Sequence, residues 1–393
     1  MTRCAWPRRG GAMITLRGGA MITLVSAAVL AAGPFAATAV AAPPAQAEST
    51  SPGAVVANAE LPQHLWLDGT GSARKLTYWT RDSADQPALS TGVVFTPAGT
   101  PPPGGWPVLS WEHGTVGIGD DCAPSVTGRS ERDNGFLATW LRQGYAIVAT
   151  DYIGLGTPGV HAYLDGRAEA HAAIDMVRAA RAVDRSLASK WVAIGQSQGG
   201  GAAVFTASLA TRYAPELDYR GAVATGPASN IVDAATLIGP GTTVGSPHIT
   251  AYATYVLNGL KAARPDFDLD SYLSPEGKDL VEDAKTLCFT PLAERADGLT
   301  LGRLLSRPLA QGDFVPTARS VMDVPLTGYD RPLFIGQGTN DTDVPAPLTA
   351  KLVADMALAG TFPEVHVYAG KDHSGAMLAS LADSVPFVAR LFA

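Results

Sequence analysis

The stretch "WVAIGQSQGGG", residues 191–201, decides how this chain is interpreted. It begins with an apolar run that is typical of a buried strand, and residues 200–214 have the composition of a helix. Between the two stands Ser197, flanked by Gly195 and Gly199. In a chain with 42 glycines this pattern is weak by itself. The rest of the sequence must decide whether Ser197 is a nucleophile or part of a turn.

Strand-like and helical segments alternate along most of the chain. This alternation predicts the α/β class, with a mostly parallel sheet and helices on both of its faces. Residues 48–60 are small and polar, and we expect them to be loosely held. Helical spacing marks residues 166–186, residues 346–359 and the C-terminal end. The strand-like runs are residues 75–80, 91–97, 107–114, 145–152, 191–195, 221–227, 332–338 and 364–370.

The alternation stops at about residue 230 and resumes at residue 332. Residues 230–322 consist of helical fragments broken by glycine and proline, without a clear strand. A separate domain is disfavoured because the strand pattern returns afterwards. We therefore predict a core in two parts, residues 48–229 and 323–393, with a helical cap inserted between them.

The N-terminal 47 residues resemble a secretory signal peptide. They contain four arginines and no acidic residue, followed by an alanine-rich apolar stretch and small residues. A membrane anchor is the alternative, but Gly33 and Pro34 interrupt the apolar run. Removal of residues 1–47 leaves 25 basic and 36 acidic residues, a net charge of −11. We expect a secreted protein that does not bind nucleic acid.

The cysteines predict one disulfide. Cys4 is lost with the signal peptide, which leaves Cys122 and Cys288. Two cysteines in an exported chain most economically form one bridge, and two unpaired buried thiols are the alternative. There is no histidine pair to complete a zinc site. We expect neither a metal nor a cofactor.

An attacking serine needs an imidazole to accept its proton and an acid to orient that imidazole. On an α/β sheet these partners follow the serine in the order acid, histidine. Asp341 comes directly after a strand and before a helix, at the sheet edge where such sites lie. Asp343 is the competing acid, and it has an alternative role at the start of that helix.

His373 is the predicted base. It lies in a loop between the last strand-like run and the last helix, whereas His366 lies on the strand itself. The developing oxyanion needs two hydrogen-bond donors. One should be the backbone N–H of Gln198, and the other should come from Gly114 or Thr115 in the loop after the third strand, "WEHGTVGIGDDCAPS" (111–125).

Several longer segments resemble one family. They are "EHGTVGIGDDCAPS" (112–125), "GYAIVATDYIGLGTPGVHAYLDGRAEAHAAIDMVRAAR" (144–181), "AIGQSQGG" (193–200), and "GTNDTDVP" with "DHSG" (338–345, 372–375). Together they are similar to the Candida antarctica lipase A-like secretory lipase family, in its actinobacterial branch. The segment "GTPGVHAYL" is more specific than the serine motif.

The resemblance implies an α/β-hydrolase fold with a helical cap between the sixth and seventh strands. It implies hydrolysis of acylglycerols or other carboxylic esters, with a triad of Ser197, Asp341 and His373. Fungal members use an aspartate of the loop after the third strand in the oxyanion hole, and Thr115 matches that position only loosely. Fungal members also carry more cysteines than this chain.

Our prediction is a secreted serine ester hydrolase, a lipase or esterase, that forms an acyl-enzyme on Ser197. We expect an ester or lipid substrate, transient contact with lipid interfaces and no obligate protein partner. A serine peptidase or an acyltransferase would use the same groups on another bond or acceptor. A non-catalytic surface protein would have an incomplete triad, whereas this sequence contains all three residues.

Overall fold

The computed structural model describes residues 49–393 of the chain. The predicted signal peptide, residues 1–47, lies outside the described residues. One sheet of nine strands runs through the described part. The strands are β1 (Val55–Glu60), β2 (Thr70–Arg81), β3 (Pro87–Pro97), β4 (Trp106–Glu112), β5 (Ala146–Ile153), β6 (Leu187–Gln196), β7 (Asp218–Thr225), β8 (Leu333–Gly338) and β9 (Glu364–Tyr368).

The strand order is β1-β2-β3-β5-β4-β6-β7-β8-β9. Strands β1, β2 and β3 pair antiparallel with their neighbours, and all pairs from β5 to β9 are parallel. The central strands are apolar because helices cover both faces. Seven of the eight residues of β5 are buried. The predicted α/β class and mostly parallel sheet are confirmed.

The helices alternate with the strands of the parallel part, and several more follow one another between β7 and β8. They are α1 (Pro124–Thr127), α2 (Glu131–Arg142), α3 (Gly166–Val183), α4 (Gln198–Tyr213), α5 (Ile231–Ala235), α6 (Pro247–Ala263), α7 (Pro275–Asp283), α8 (Phe289–Arg295), α9 (Phe314–Met322), α10 (Ala346–Leu358), α11 (His373–Ala379) and α12 (Leu381–Phe392).

Two apolar layers hold the sheet. Residues of α3, α4 and α10, among them Ile174, Val204 and Met356, pack on one face. Residues of α2, α11 and α12, such as Trp140 and Phe387, pack on the other face. The sheet therefore has helices on both sides, as parallel strands connected by helices require.

Helices α5 to α9 form an apolar cluster of their own. It is centred on side chains such as Tyr255, Leu260, Leu292 and Phe314. This helical segment lies between the seventh and eighth strands of the described chain, because β1 precedes the strands that the sequence predicted. The division into two core parts and a cap stays a prediction.

The N-terminal expectation was wrong for residues Val55–Glu60. They form β1, which pairs antiparallel with β2 along five positions. Five of the six residues are exposed. The strand therefore lacks the alternation of buried and exposed residues by which a strand is usually recognised. Backbone pairing at the sheet edge stabilises it, and the side-chain pattern therefore gave no signal.

Among the described residues, no single helix is long and apolar enough to cross a membrane. Helices α11 and α12 satisfy the criteria of length and composition only when taken together, and they meet at an angle of 49°.

Candidate active site

Ser197 occupies a sharp turn between β6 and α4. Its backbone has φ 62° and ψ −121°, a region that residues other than glycine rarely adopt. The two neighbouring glycines make this turn possible. A β-carbon on Gly195 would overlap the carbonyl of Gly199, and one on Gly199 would overlap the carbonyl of Glu112. The strained turn holds the serine at the carboxyl end of the central strand.

Asp341 and His373 form a direct hydrogen bond. His373 Nδ1 lies 2.6 Å from Asp341 Oδ2, and both side chains are buried. The other carboxylate oxygen accepts the backbone N–H groups of Asp343 at 3.0 Å and Val344 at 2.8 Å. Gln337 Nε2 donates to Oδ2 at 3.2 Å. Three donors therefore orient the carboxylate toward the imidazole.

The imidazole is held with its second nitrogen available. Because an ionised carboxylate only accepts hydrogen bonds, Nδ1 of His373 carries the proton and Nε2 carries the lone pair. Within residues 49–393 no hydrogen-bond partner reaches Nε2, although the atom is buried. The residue is the first of α11 rather than a loop residue, and Asp372 caps that helix by accepting the N–H of Gly375 at 2.7 Å.

The segment after β7 lies against both the serine and the histidine. Ser197 donates its N–H to the carbonyl of Thr225 at 3.0 Å, and its own carbonyl accepts the N–H of Ala228 at 3.1 Å. Between these two residues, the α-carbon of Gly226 faces the imidazole ring of His373. One short segment thus fixes the serine backbone next to the ring.

The predicted oxyanion residues lie around the same turn. Gln198 is the first residue of α4, so its N–H has no acceptor within the helix. Gly114 lies beside the serine, since a β-carbon built on it would be 3.5 Å from Ser197 Cβ. Thr115 Oγ1 makes a hydrogen bond of 2.6 Å with Tyr163 Oη. Their role as donors stays a prediction.

The side chains of the two alternative residues, Asp343 and His366, do not form the pair. Asp343 contacts the pair through its backbone N–H. His366 stacks on Phe334 with ring centroids 4.6 Å apart and hydrogen-bonds Glu364 at 3.1 Å. That environment makes His366 a packing residue of strand β9.

The disulfide prediction is confirmed. Cys122 and Cys288 are bonded, and this bond connects the loop after β4 with the start of α8. Close to the bridge, the N–H of Phe289 donates to the carbonyl of Val116 at 2.9 Å. The loop that contains the predicted oxyanion residues is therefore tied to the helical segment.

Two buried carboxyl groups lie near the turn. Burial raises the pKa of Glu112 well above its usual range and raises the pKa of Glu169 to about 8. Burial therefore disfavours the charged form of both carboxyl groups. The described residues contain no group of three or more potential metal ligands.

Arg132 is a neighbour of the site that the sequence analysis did not single out. Its guanidinium donates to Ser374 Oγ at 3.0 Å and to Gln196 Oε1 at 3.4 Å. These residues are adjacent to His373 and Ser197. No motif marks the arginine, because its contacts arise only when α2 packs beside β6 and α11.

Several known proteins are similar to this chain. The model of the family described as "Secretory lipase" matches residues 123–296. The resemblance to the secretory lipase family is confirmed. The chain is 24% identical over 368 residues to "Lipase A" of Moesziomyces aphidis. The alignment covers 86% of this chain and 76% of that protein. It is 26% identical over 377 residues to a "Secreted triacylglycerol lipase" of Malassezia globosa. That alignment covers 88% of this chain and 77% of the relative.

Among solved structures, Candida antarctica lipase A is similar to this chain. The TM-score is 0.73 at 22% identity, with 87% of this chain and 82% of that chain covered. At this identity the likeness concerns the fold. The predicted α/β-hydrolase fold is confirmed.

Proposed function

We propose that this chain is a secreted serine ester hydrolase that cleaves acylglycerols or related carboxylic esters. The observation that carries the proposal is the hydrogen bond of 2.6 Å between Asp341 and His373 beside the strained turn of Ser197. This is the arrangement that activates a serine hydroxyl. The similarity to proteins named as secreted lipases supports both the ester substrate and the extracellular location.

In the proposed reaction Ser197 Oγ attacks the ester carbonyl while His373 Nε2 accepts its proton. The C–O bond to the alcohol then breaks, and His373 returns the proton to the departing oxygen. A water molecule attacks the acyl-enzyme with the same histidine as base, which releases the acid and regenerates the serine. Asp341 stabilises the imidazolium that forms in both steps.

The negative charge on the carbonyl oxygen requires donors that are already in position. We propose the backbone N–H of Gln198 for one of them. The second comes from the backbone at Gly114 or Thr115, which adjoins the serine. Donors fixed by the fold stabilise this charge without reorganisation, and that makes them effective in a buried site.

We also propose that the helical segment between β7 and β8 covers the acyl chain. Helix α6 supports this role because it lies against the loop beside the site, with the rings of Tyr255 and Tyr163 5.8 Å apart. Tyr252 of the same helix stacks on Phe289 at 4.7 Å. The buried side chains of this segment are largely apolar.

The test is hydrolysis of p-nitrophenyl esters from acetate to palmitate, compared with p-nitroanilides of the same acids. We expect ester hydrolysis by the wild type and loss of that activity in Ser197→Ala. Activity that survives this substitution would exclude the mechanism. Faster cleavage of the anilides would favour a peptidase, and a steep decline above butyrate would indicate an esterase rather than a lipase.

A further inference from the structure

The loop between β5 and α3, residues 154–165, takes no part in the mechanism above. Its sequence is "GLGTPGVHAYLD", and its three ionisable side chains, His161, Tyr163 and Asp165, are all buried. Asp165 ends the loop and caps α3 by accepting the N–H of Ala168 at 3.2 Å. Glu169 follows in the first turn of α3 and is 2% exposed. A loop that buries three groups able to ionise needs a reason.

The first contact of this loop is with the side chain of Gln198. The amide nitrogen Nε2 donates to Glu169 Oε1 and to His161 Nε2, both at 2.8 Å. His161 Nδ1 donates in turn to the carbonyl of Ile153 at 2.8 Å. The other nitrogen of the ring is therefore an acceptor. Burial lowers the pKa of His161 to about 3, so the ring stays neutral and keeps this role.

The second contact is with the loop after β4. Tyr163 Oη and Thr115 Oγ1 are 2.6 Å apart. The backbone N–H of His161 donates to the carbonyl of Ile118 at 3.4 Å. The ring of Tyr152 stacks on His161 at 5.5 Å. The loop therefore reaches both segments from which the oxyanion donors are proposed to come.

Gln198 depends on such an anchor because of the sequence that follows it. Residues 199–201 are all glycine, so Gln198 contributes the only side chain among the first four residues of α4. Glycines leave the backbone less restricted than other residues do. A donor that moves by a fraction of an ångström loses much of its effect on the transition state.

We infer that His161, Glu169 and Tyr163 are positioning residues. They hold the two proposed oxyanion donors, the Gln198 N–H and the backbone at Gly114 or Thr115, in fixed positions relative to each other. His161 and Glu169 fix the Gln198 side chain, and through it the Gln198 N–H. Tyr163 fixes Thr115 on the opposite side. This inference rests on the proposed ester hydrolysis, and it assigns a function to the segment "GTPGVHAYL", which the mechanism leaves unused.

Two variants test the inference directly. Gln198→Met keeps the side-chain volume and the backbone N–H but removes the amide. Tyr163→Phe removes one oxygen atom. For each we expect kcat on p-nitrophenyl butyrate to fall about tenfold or more, with KM changed less than about twofold. The inhibition constant of butylboronic acid, whose tetrahedral adduct places an oxygen in the oxyanion site, should rise in parallel.

Conservative variants separate positioning from folding. Glu169→Gln keeps an oxygen that accepts from Gln198 and should retain most of kcat, whereas Glu169→Leu should not. Tyr78→Phe is the matched control, because its buried hydroxyl donates to the carbonyl of Ala172 at 2.8 Å in the core. It should leave kcat unchanged. All rates are expressed per active site, titrated with a phosphonate.

Failure of the inference and failure of the proposed function give different results. If the wild type does not hydrolyse esters, or if Ser197→Ala remains active, the function itself is wrong and the inference falls with it. If hydrolysis depends on Ser197 but Tyr163→Phe keeps wild-type kcat and boronate inhibition, the inference alone is wrong. Tyr163→Phe decides the matter even if Gln198→Met does not fold.

Discussion

The imidazole of His373 lies against the bare α-carbon of Gly226. A β-carbon at this glycine would be 2.9 Å from Cε1 and 3.0 Å from Nδ1 of the ring, and 3.2 Å from Oδ2 of Asp341. The glycine has a positive φ of 50° and directly follows Thr225, which accepts a hydrogen bond from Ser197. The absence of a side chain at residue 226 thus sets how close the base lies to the serine turn.

Gly226→Ala should therefore displace His373. We expect kcat on p-nitrophenyl butyrate to fall about tenfold to a hundredfold, because a misplaced base transfers the proton poorly. Gly360→Ala is the matched control. It has a positive φ of 85°, and an added β-carbon meets no atom of the described residues within 4 Å. Both variants place an alanine at a positive φ, so both have the same kind of backbone strain. Equal kcat values in the two variants would therefore contradict the prediction.

Asp341→Asn should lower kcat by about a thousandfold to ten-thousandfold. An amide nitrogen facing His373 Nδ1 would favour the tautomer with the proton on Nε2, which cannot accept the proton of Ser197. Asp343→Asn is the control, because that residue contacts the pair through its backbone N–H. Steady-state kinetics on the same ester decide between them. A larger loss in Asp343→Asn would assign the acid to the other residue.

Removal of the disulfide should destabilise the fold. The bond between Cys122 and Cys288 closes a long loop, with a sequence separation of 166 residues. Loop entropy alone would let this bond stabilise the fold by at most about 5 kcal/mol. We expect the double variant Cys122→Ala, Cys288→Ala to lose roughly 2–5 kcal/mol of unfolding free energy. Urea denaturation measures this loss. The wild type with a reductant should behave like the variant, and unchanged midpoints in both would refute the prediction.

The stability of the fold should fall as the pH rises above about 6.5. Burial raises the pKa of Glu169 to about 8 from 4.5, so between these values the folded chain binds a proton that the unfolded chain releases. The free energy of unfolding therefore falls as the pH rises through this window, by about 1.4 kcal/mol per unit. For His161, with a pKa lowered to about 3 from 6.5, the sign is opposite and stability rises with pH.

The effects of Glu169 and His161 oppose each other between pH 4.5 and 6.5. Asp165 and Asp175, with pKa values raised to about 6 by burial, add to the decline only up to that pH. Above pH 6.5 the decline should come from Glu169 together with Glu112, whose pKa burial also raises. Urea titrations from pH 4 to 9 measure it, and Glu169→Gln should make the decline between pH 6.5 and 8 shallower, since Glu112 remains. A decline of the same slope in that variant would exclude Glu169 as its source.

The parallel core was predictable because its strands are buried on both faces and appear as continuous apolar runs. Strand β1 was not, since most of its side chains are exposed and its backbone makes the pairing with β2. Helix α2 was not described from the sequence either. Its cap, Ser130, accepts the N–H of Asp133 at 3.1 Å, but Asn134 and Gly135 weaken the helical pattern that follows.

The sequence by itself determined the serine turn and the order of serine, acid and histidine. Flanking glycines and strand ends are local features of the chain, and local features can be recognised without a structure. The sequence also predicted the bridge between Cys122 and Cys288, which the structure contains.

Only the tertiary structure decided which atoms meet. It brings the carboxylate of Asp341, rather than that of Asp343, to His373, and it places Arg132 between the neighbours of the serine and the histidine. It also links "GTPGVHAYL" to "AIGQSQGGG" through His161, Glu169 and Gln198. Hydrogen bonds depend on distances of a few tenths of an ångström between segments far apart in the chain. Packing sets those distances, and no pattern along one segment records them.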